Sequence, residues 1–208
     1  MRLLQLFLLS ALVFSNSAFA AGDPAQGRKS AETCVGCHAV KGYFNVYPSY
    51  KVPKLAGQHA AYIEAALKAY RDGTRQHETM QANAANLSDQ EIADIAAYFE
   101  SQQYEKTPSN PPVNADLAAK GKELSGTCVA CHGADGNSAS NAFPTIAGQH
   151  KSYIINSLHA YKDGRRDNAV MAGMAAGLDE EAIEALAAWY SSQKGLNTLK
   201  LEDENAQN

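Results

Sequence analysis

The sequence predicts an all-α chain built from two tandem helical units joined by a proline-rich linker, and three observations predict it. Residues 55–103 align without gaps to residues 146–194 at an offset of 91. Each copy carries helix caps and apolar residues at helical spacing, and no segment shows convincing strand alternation. Between the copies lies SQQYEKTPSNPPVN, where Pro108, Pro111 and Pro112 disfavour helix and stiffen an extended connection. The division is a leader at 1–20, a first unit at 21–106, a linker at 107–113, a second unit at 114–195 and a polar tail at 196–208.

The leader reads as a cleavable signal peptide. Arg2 is its charged start, LLQLFLLSALVF its apolar run, and Ala18-Phe19-Ala20 its cleavage site. The apolar run is too short to cross a bilayer. Of the 208 residues, 20 lie in the leader and 188 remain, and loss of Arg2 takes the net charge from −4 to −5. An exported, acidic chain without a basic run is unsuited to nucleic acid, whose phosphates are held by clustered Lys and Arg.

In the first unit Asp23 before Pro24 reads as an N-cap with proline at the first helical position, opening a helix that runs toward Cys34. From His59 to Arg71, Tyr62, Ile63, Ala66, Leu67 and Tyr70 fall at helical spacing, and Gly73 stops the helix. Ser88-Asp89-Gln90-Glu91 is a capping box before Ile92, Ile95, Ala96 and Phe99. The second unit repeats all three helices, with Asn114 and Asp179 as caps. Units of this size hold small apolar cores, so a large buried cofactor is expected to help stabilise each.

The four cysteines fall in two clusters, Cys34-Val35-Gly36-Cys37-His38 and Cys128-Val129-Ala130-Cys131-His132. C-x-x-C-H is the signature of covalent haem attachment: two thiols one helical turn apart add to the haem vinyl groups, and the histidine is held under the iron. Zinc would want four converging ligands, a redox C-x-x-C a βαβ setting, and structural disulfides would leave the histidines unexplained. For the opposite face of each iron the repeat points to Met80 and its gap-free counterpart Met171. Met174, at the position of Asn83, reads as an apolar gap filler. His59 and His150 are rival ligands. Methionine is preferred because each histidine begins a helix and is expected to be exposed.

These motifs carry a resemblance. Two C-x-x-C-H units, each followed by a proline shortly before Ala-Gly-Gln (Pro53, Pro144), then by a methionine and a closing helix ending Ala96-Ala97-Tyr98-Phe99 or Ala187-Ala188-Trp189-Tyr190, resemble the dihaem cytochromes c of the cytochrome c4 family. The resemblance covers essentially the whole mature chain and implies two class I cytochrome c domains with two covalently bound haem c groups. It implies that the Pro53 and Pro144 carbonyls accept the Nδ1 proton of His38 and His132. It also implies that Gly27 and Gly121 let the opening helix press on the closing helix near Tyr98 and Trp189. The first unit departs from the pattern: where the second has His132-Gly133-Ala134-Asp135-Gly136, it has His38-Ala39-Val40-Lys41-Gly42 and then YFNVYPSYKV. Tyr43, Phe44, Tyr47 and Tyr50 are expected to pack in the core or on the haem rather than to form a docking surface.

With both axial positions filled, neither iron offers a small molecule a site, so the expected role is a non-enzymatic shuttle of single electrons in a respiratory chain. The family resemblance implies a periplasmic carrier, peripheral to the inner membrane, whose partners are redox proteins such as a cytochrome bc complex or dehydrogenase as donor and a terminal oxidase as acceptor. A second reading is the haem subunit of a flavocytochrome enzyme such as sulfide dehydrogenase. A dihaem peroxidase would need an open iron and a longer chain.

Overall fold

The computed structural model describes residues 21–106 and 114–200. The expected signal peptide and the 107–113 linker lie outside the described residues. The first lobe runs α1 (Pro24–Ser30), α2 (Glu32–His38), a two-stranded hairpin of β1 (Phe44–Asn45) and β2 (Tyr50–Lys51), α3 (Ala60–Arg71), α4 (Glu78–Ala84) and α5 (Asp89–Ser101). The second runs α6 (Ala115–Leu124), a 3₁₀ turn at Ser125–Thr127, α7 (Val129–His132), α8 (Lys151–Lys162), α9 (Ala169–Ala176) and α10 (Glu180–Ser192).

The helix starts follow from local chemistry. Asp23 Oδ1 accepts the Ala25 amide at 2.8 Å, Asn114 Oδ1 that of Leu117 at 3.0 Å, and Asp179 Oδ1 that of Ala182 at 2.8 Å. Ser88 and Glu91 close a full capping box: the Glu91 amide donates to Ser88 Oγ, and the Ser88 amide to Glu91 Oε2. Each cap satisfies an orphan amide and is worth about 1 kcal/mol. In each lobe the first helix crosses the last, and a glycine sets how closely. A Cβ on Gly27 would lie 1.9 Å from the Asp94 carbonyl oxygen and 2.8 Å from Tyr98 Cβ; one on Gly121 would lie 2.0 Å from the Ala185 oxygen and 2.9 Å from Trp189 Cβ. Ile63, Leu67, Ile92, Ile95 and Phe99 fill the first core, and Ile154, Leu186 and Tyr190 the second.

The repeat also packs against itself across a pseudo-two-fold. Gln58 exchanges two hydrogen bonds with the Thr145 backbone, each 2.9 Å, and Gln149 exchanges two with the Lys54 backbone, each 3.0 Å. Thr145 is the repeat equivalent of Lys54, so both bridges are one motif used twice. The Gln76 amide donates to the Arg165 carbonyl and the Asp167 amide to the Thr74 carbonyl, at 2.8 and 2.9 Å, again as equivalents.

Three expectations are corrected. The inserted segment of the first lobe forms a short antiparallel hairpin, Phe44 opposite Lys51 and Asn45 opposite Tyr50, although its sequence shows no alternation. Of its aromatic residues only Tyr50 is buried; Tyr43, Phe44 and Tyr47 are 46%, 51% and 93% exposed, so the expected packing in the protein core is corrected for these three. Within the expected tail at 196–208, residues 201–208 lie outside the described residues, and 196–200 are not a free polar tail. Leu196 and Leu199 are buried, Asn197 forms a bridge to Ala56, and Leu199 joins the first lobe's core, so these residues strap the second lobe to the first.

Candidate haem sites

Helix α2 carries Cys34, Cys37 and His38, and α7 with its preceding turn carries Cys128, Cys131 and His132. All four thiols are unpaired and half-buried. Both histidines are buried and hold their rings in one way: His38 Nδ1 lies 2.9 Å from the Pro53 carbonyl oxygen, and His132 Nδ1 lies 2.9 Å from that of Pro144. A carbonyl only accepts, so Nδ1 carries the proton and Nε2 keeps its lone pair. Burial pulls both imidazoles below the usual histidine range, against the opposing effect of the proline carbonyls. Each ring is thus neutral, oriented and able to offer Nε2 to a metal, the condition a ligating histidine must meet.

Met80 and Met171 occupy the third position of their helices, α4 and α9, and both are half-buried. The side chain three residues before each caps the helix: His77 Nδ1 accepts the Met80 amide at 3.2 Å, and Asn168 Oδ1 accepts the Met171 amide at 3.0 Å. Met80 packs against the first core, whereas Met174 is 50% exposed, so the decoy separates from the candidates by burial. The rival histidines begin α3 and α8, but they are not exposed. His150 is buried, and His59 Nε2 lies 3.1 Å from the Ser138 carbonyl oxygen in the other lobe. Packing of the two lobes on each other covers both positions.

The residues present fit a haem in each lobe. Two thiols, a neutral oriented imidazole and a half-buried thioether are set out twice. Two buried donors, Arg75 Nε and Trp189 Nε1, also have no acceptor among the described protein atoms, as donors that meet a bound group would. Sequence reasoning missed Gln58, Gln149, Arg75 and Arg166, which join the lobes. The signal was available: each pair sits at the repeat offset of 91.

Two helical lobes, each with a C-x-x-C-H turn whose histidine is steered by a proline carbonyl, define a dihaem c-type protein. The cytochrome c family profile matches residues 24–103 and 118–194. Cytochrome c4 of Pseudomonas aeruginosa is 35% identical over 199 residues, spanning 91% of this chain and 98% of that one. The thiosulfate dehydrogenase electron acceptor of Thiomonas intermedia is 28% identical over 204 residues, spanning 92% and 91%. The crystal structure of reduced recombinant cytochrome c4 from Pseudomonas stutzeri superposes with a TM-score of 0.71 at 32% identity, covering 83% of this chain and all of that one. The chain belongs to the cytochrome c family, in its dihaem cytochrome c4 branch, and carries two haem c groups as an electron-transfer protein.

Proposed function

We propose that the chain carries single electrons between redox proteins of a periplasmic respiratory chain, with a closed six-ligand iron in each lobe. In this reading Cys34 and Cys37 hold the first haem and Cys128 and Cys131 the second by thioethers. His38 and Met80 in one lobe, and His132 and Met171 in the other, would ligate the iron, with the Pro53 and Pro144 carbonyls orienting the histidines. Each haem, when bound, supplies an iron that exchanges one electron without binding substrate. The protein's part is to hold the ligands still in both oxidation states: the proline carbonyl fixes the imidazole, and the cap at His77 or Asn168 fixes the helix start that bears the methionine. A thioether raises the potential relative to a second imidazole. The observation that carries the reading is the twofold occurrence of one local geometry, a 2.9 Å histidine to proline bond with a capped methionine helix in the same lobe.

The test is spectroscopic. The oxidised protein is expected to show the red-region methionine-to-iron charge-transfer band, and Met80→His and Met171→His each to remove part of it and lower the potential of one haem. A wild-type protein without that band overturns the methionine assignment. Potentiometric titration counts the haems in the same experiment.

A second reading places the chain as the electron-accepting haem partner of an enzyme, as an alternative to the free carrier. The similarity to a relative named a thiosulfate dehydrogenase electron acceptor favours a sulfur-compound dehydrogenase over the flavocytochrome as that partner. Reduction of the purified protein by such a dehydrogenase at a rate matching its turnover supports this reading.

A further inference from the structure

The hairpin of the first lobe holds an apolar tip on a fixed frame. At its base the Val52 amide donates to the Tyr43 carbonyl at 2.9 Å, the Lys51 amide donates to Ser152 Oγ at 3.1 Å, and the Tyr50 ring is buried. The turn is closed by Asn45 Nδ2, which donates to the Pro48 carbonyl at 2.8 Å. Yet Val46 and Tyr47, at the end of this frame, are 89% and 93% exposed, and Phe44 on the strand leading to them is 51% exposed. Folding gains almost nothing from side chains left in water, so the fold itself gives no reason for apolar residues there.

The charge around the tip has one sign. From residue 33 to residue 63 the chain holds Lys41, Lys51 and Lys54 and no Asp or Glu, in a protein whose net charge is −4. Lys41 is exposed, and the Lys51 ammonium lies 5.7 Å over the Phe44 ring, so lysine flanks the tip on both strands. Lys54 is buried and takes no part. The equivalent loop of the second lobe, 133–143, has Asp135, no lysine, and only Phe143 as a large exposed apolar side chain, at 37%. The combination therefore belongs to one lobe and not to the repeat.

An apolar tip flanked by lysine fits an anionic surface, and its shape decides which kind. A specific protein interface buries about 1,200 Å² or more over a broad patch, which two side chains at the end of a short hairpin cannot supply. A lipid surface makes no such demand. Tyrosine settles at headgroup level, and lysines beside it meet anionic lipid phosphates. We propose that this hairpin is a docking element that seats the first lobe on an anionic lipid bilayer, with Val46 and Tyr47 entering the headgroup boundary and Lys41 and Lys51 on the phosphates. The acidic remainder of the chain is repelled by the same surface, which turns the first lobe toward it. Neither the tip nor the lysines suffice alone, so the contact is reversible. The inference goes beyond the electron-carrier reading and stands without it.

The experiment is co-sedimentation of the holoprotein with vesicles of phosphatidylethanolamine and phosphatidylglycerol, with neutral phosphatidylcholine vesicles as the reference. Wild type is expected to bind the anionic vesicles, to leave them as salt rises, and to ignore the neutral ones. Val46→Ser combined with Tyr47→Ser should lower the partition coefficient about tenfold. Lys41→Gln and Lys51→Gln should each lower it about fivefold. Lys120→Gln, on α6 of the second lobe and paired with Glu181, is the control and should change nothing. A nitroxide on Tyr47→Cys should become more accessible to oxygen and less to a water-soluble nickel chelate when anionic vesicles are added. The haem spectrum and circular dichroism report that each variant is folded. Wild type that ignores anionic vesicles overturns the proposal, whether the tip then proves to pair two copies of the chain in sedimentation or to govern reduction by an acidic redox protein. Binding that survives loss of the tip, or that falls equally with Lys120→Gln, is a diffuse charge effect and also overturns it. The electron-carrier reading fails separately, by haem count or by a missing methionine-to-iron band in wild type.

Discussion

The two lobes bring histidine and proline together over different lengths of chain. In the second lobe the path from His132 to Pro144 turns on Gly133 and Gly136, with φ of 80° and 87°, and the Gly136 carbonyl accepts the Ile146 and Ala147 amides at 2.8 and 3.0 Å. In the first lobe the path from His38 to Pro53 is three residues longer and is closed by the hairpin, with the Val52 amide donating to the Tyr43 carbonyl at 2.9 Å. The end point is the same 2.9 Å bond. The loop is therefore free to vary, while the helices and the proline that receive the imidazole are not.

That contrast is tested most severely where the lobes agree. Gly27→Val and Gly121→Val each put a branched side chain where the facing carbonyl oxygen would stand about 2 Å from the new Cβ. Each is expected to cost its lobe about 3 kcal/mol, from overpacking that only separation of the helices can relieve. Denaturant unfolding followed by circular dichroism should show similar losses. A loss confined to one lobe would mean that the crossings are not equivalent.

The next effect belongs to one lobe alone. Gly136→Ala demands a positive φ of a residue with a Cβ, and that Cβ would meet the Tyr190 ring at 2.7 Å and the Ala147 amide nitrogen at 2.8 Å. The expected cost is about 2 kcal/mol in the second lobe. Gly42→Ala is its control in the first lobe: φ is 75°, but nothing lies within 4 Å of the added carbon, so only the backbone term remains and the loss should be smaller. Equal losses in thermal unfolding would show that packing on Tyr190 contributes nothing.

How much of this was legible in the sequence follows from what each residue interacts with. Caps and the Cys and His clusters act over a few residues, and the chain shows them directly; the two helix-crossing glycines, which meet Asp94 and Ala185 far along the chain, were legible only through the family resemblance. The bridges of Gln58 and Gln149, the opposed Arg75 and Arg166, and Leu199 in the first core depend on contacts across 78 to 95 residues or more, which local spacing cannot encode. The expected exposure of His59 and His150 failed for the same reason: helix starts are open in an isolated lobe, and here a second lobe covers them. The hairpin was missed because two residues per strand are too few to alternate visibly.

Lys54 marks another difference between lobes, since Thr145 holds its place in the second. Lys54 is buried, and its ammonium donates to the Gly148 carbonyl. Burial, with Lys51 nearby, pulls its pKa from 10.5 to about 8. The unfolded chain therefore binds this proton more tightly, and between pH 8 and 10.5 it holds more protons than the native state. Stability from this group should rise with pH through that window, and the penalty is complete below it. Lys54→Thr is expected to flatten the rise, read as denaturant midpoints on either side of about pH 8. An unchanged slope would assign the rise to other groups.

The smallest effect is expected at the hairpin tip, and there the first lobe should tolerate what the second could not. Val46 and Tyr47 are 89% and 93% exposed, so folding buries little of either side chain. With little apolar area to lose, Val46→Ser and Tyr47→Ser should each change stability by no more than about 0.5 kcal/mol. Their effect on the His38 to Pro53 bond should also be nil, because Lys51 and Tyr50 at the hairpin's base are held independently. The Lys51 amide donates to Ser152 Oγ at 3.1 Å, and the Tyr50 ring packs 6.0 Å from that of Tyr153. Thermal unfolding and the potential of the first haem read the two points together. A stability loss well above 0.5 kcal/mol, or a shifted potential, would mean that the tip folds back onto the haem after all and that the two lobes close their loops less freely than the shared bond implies.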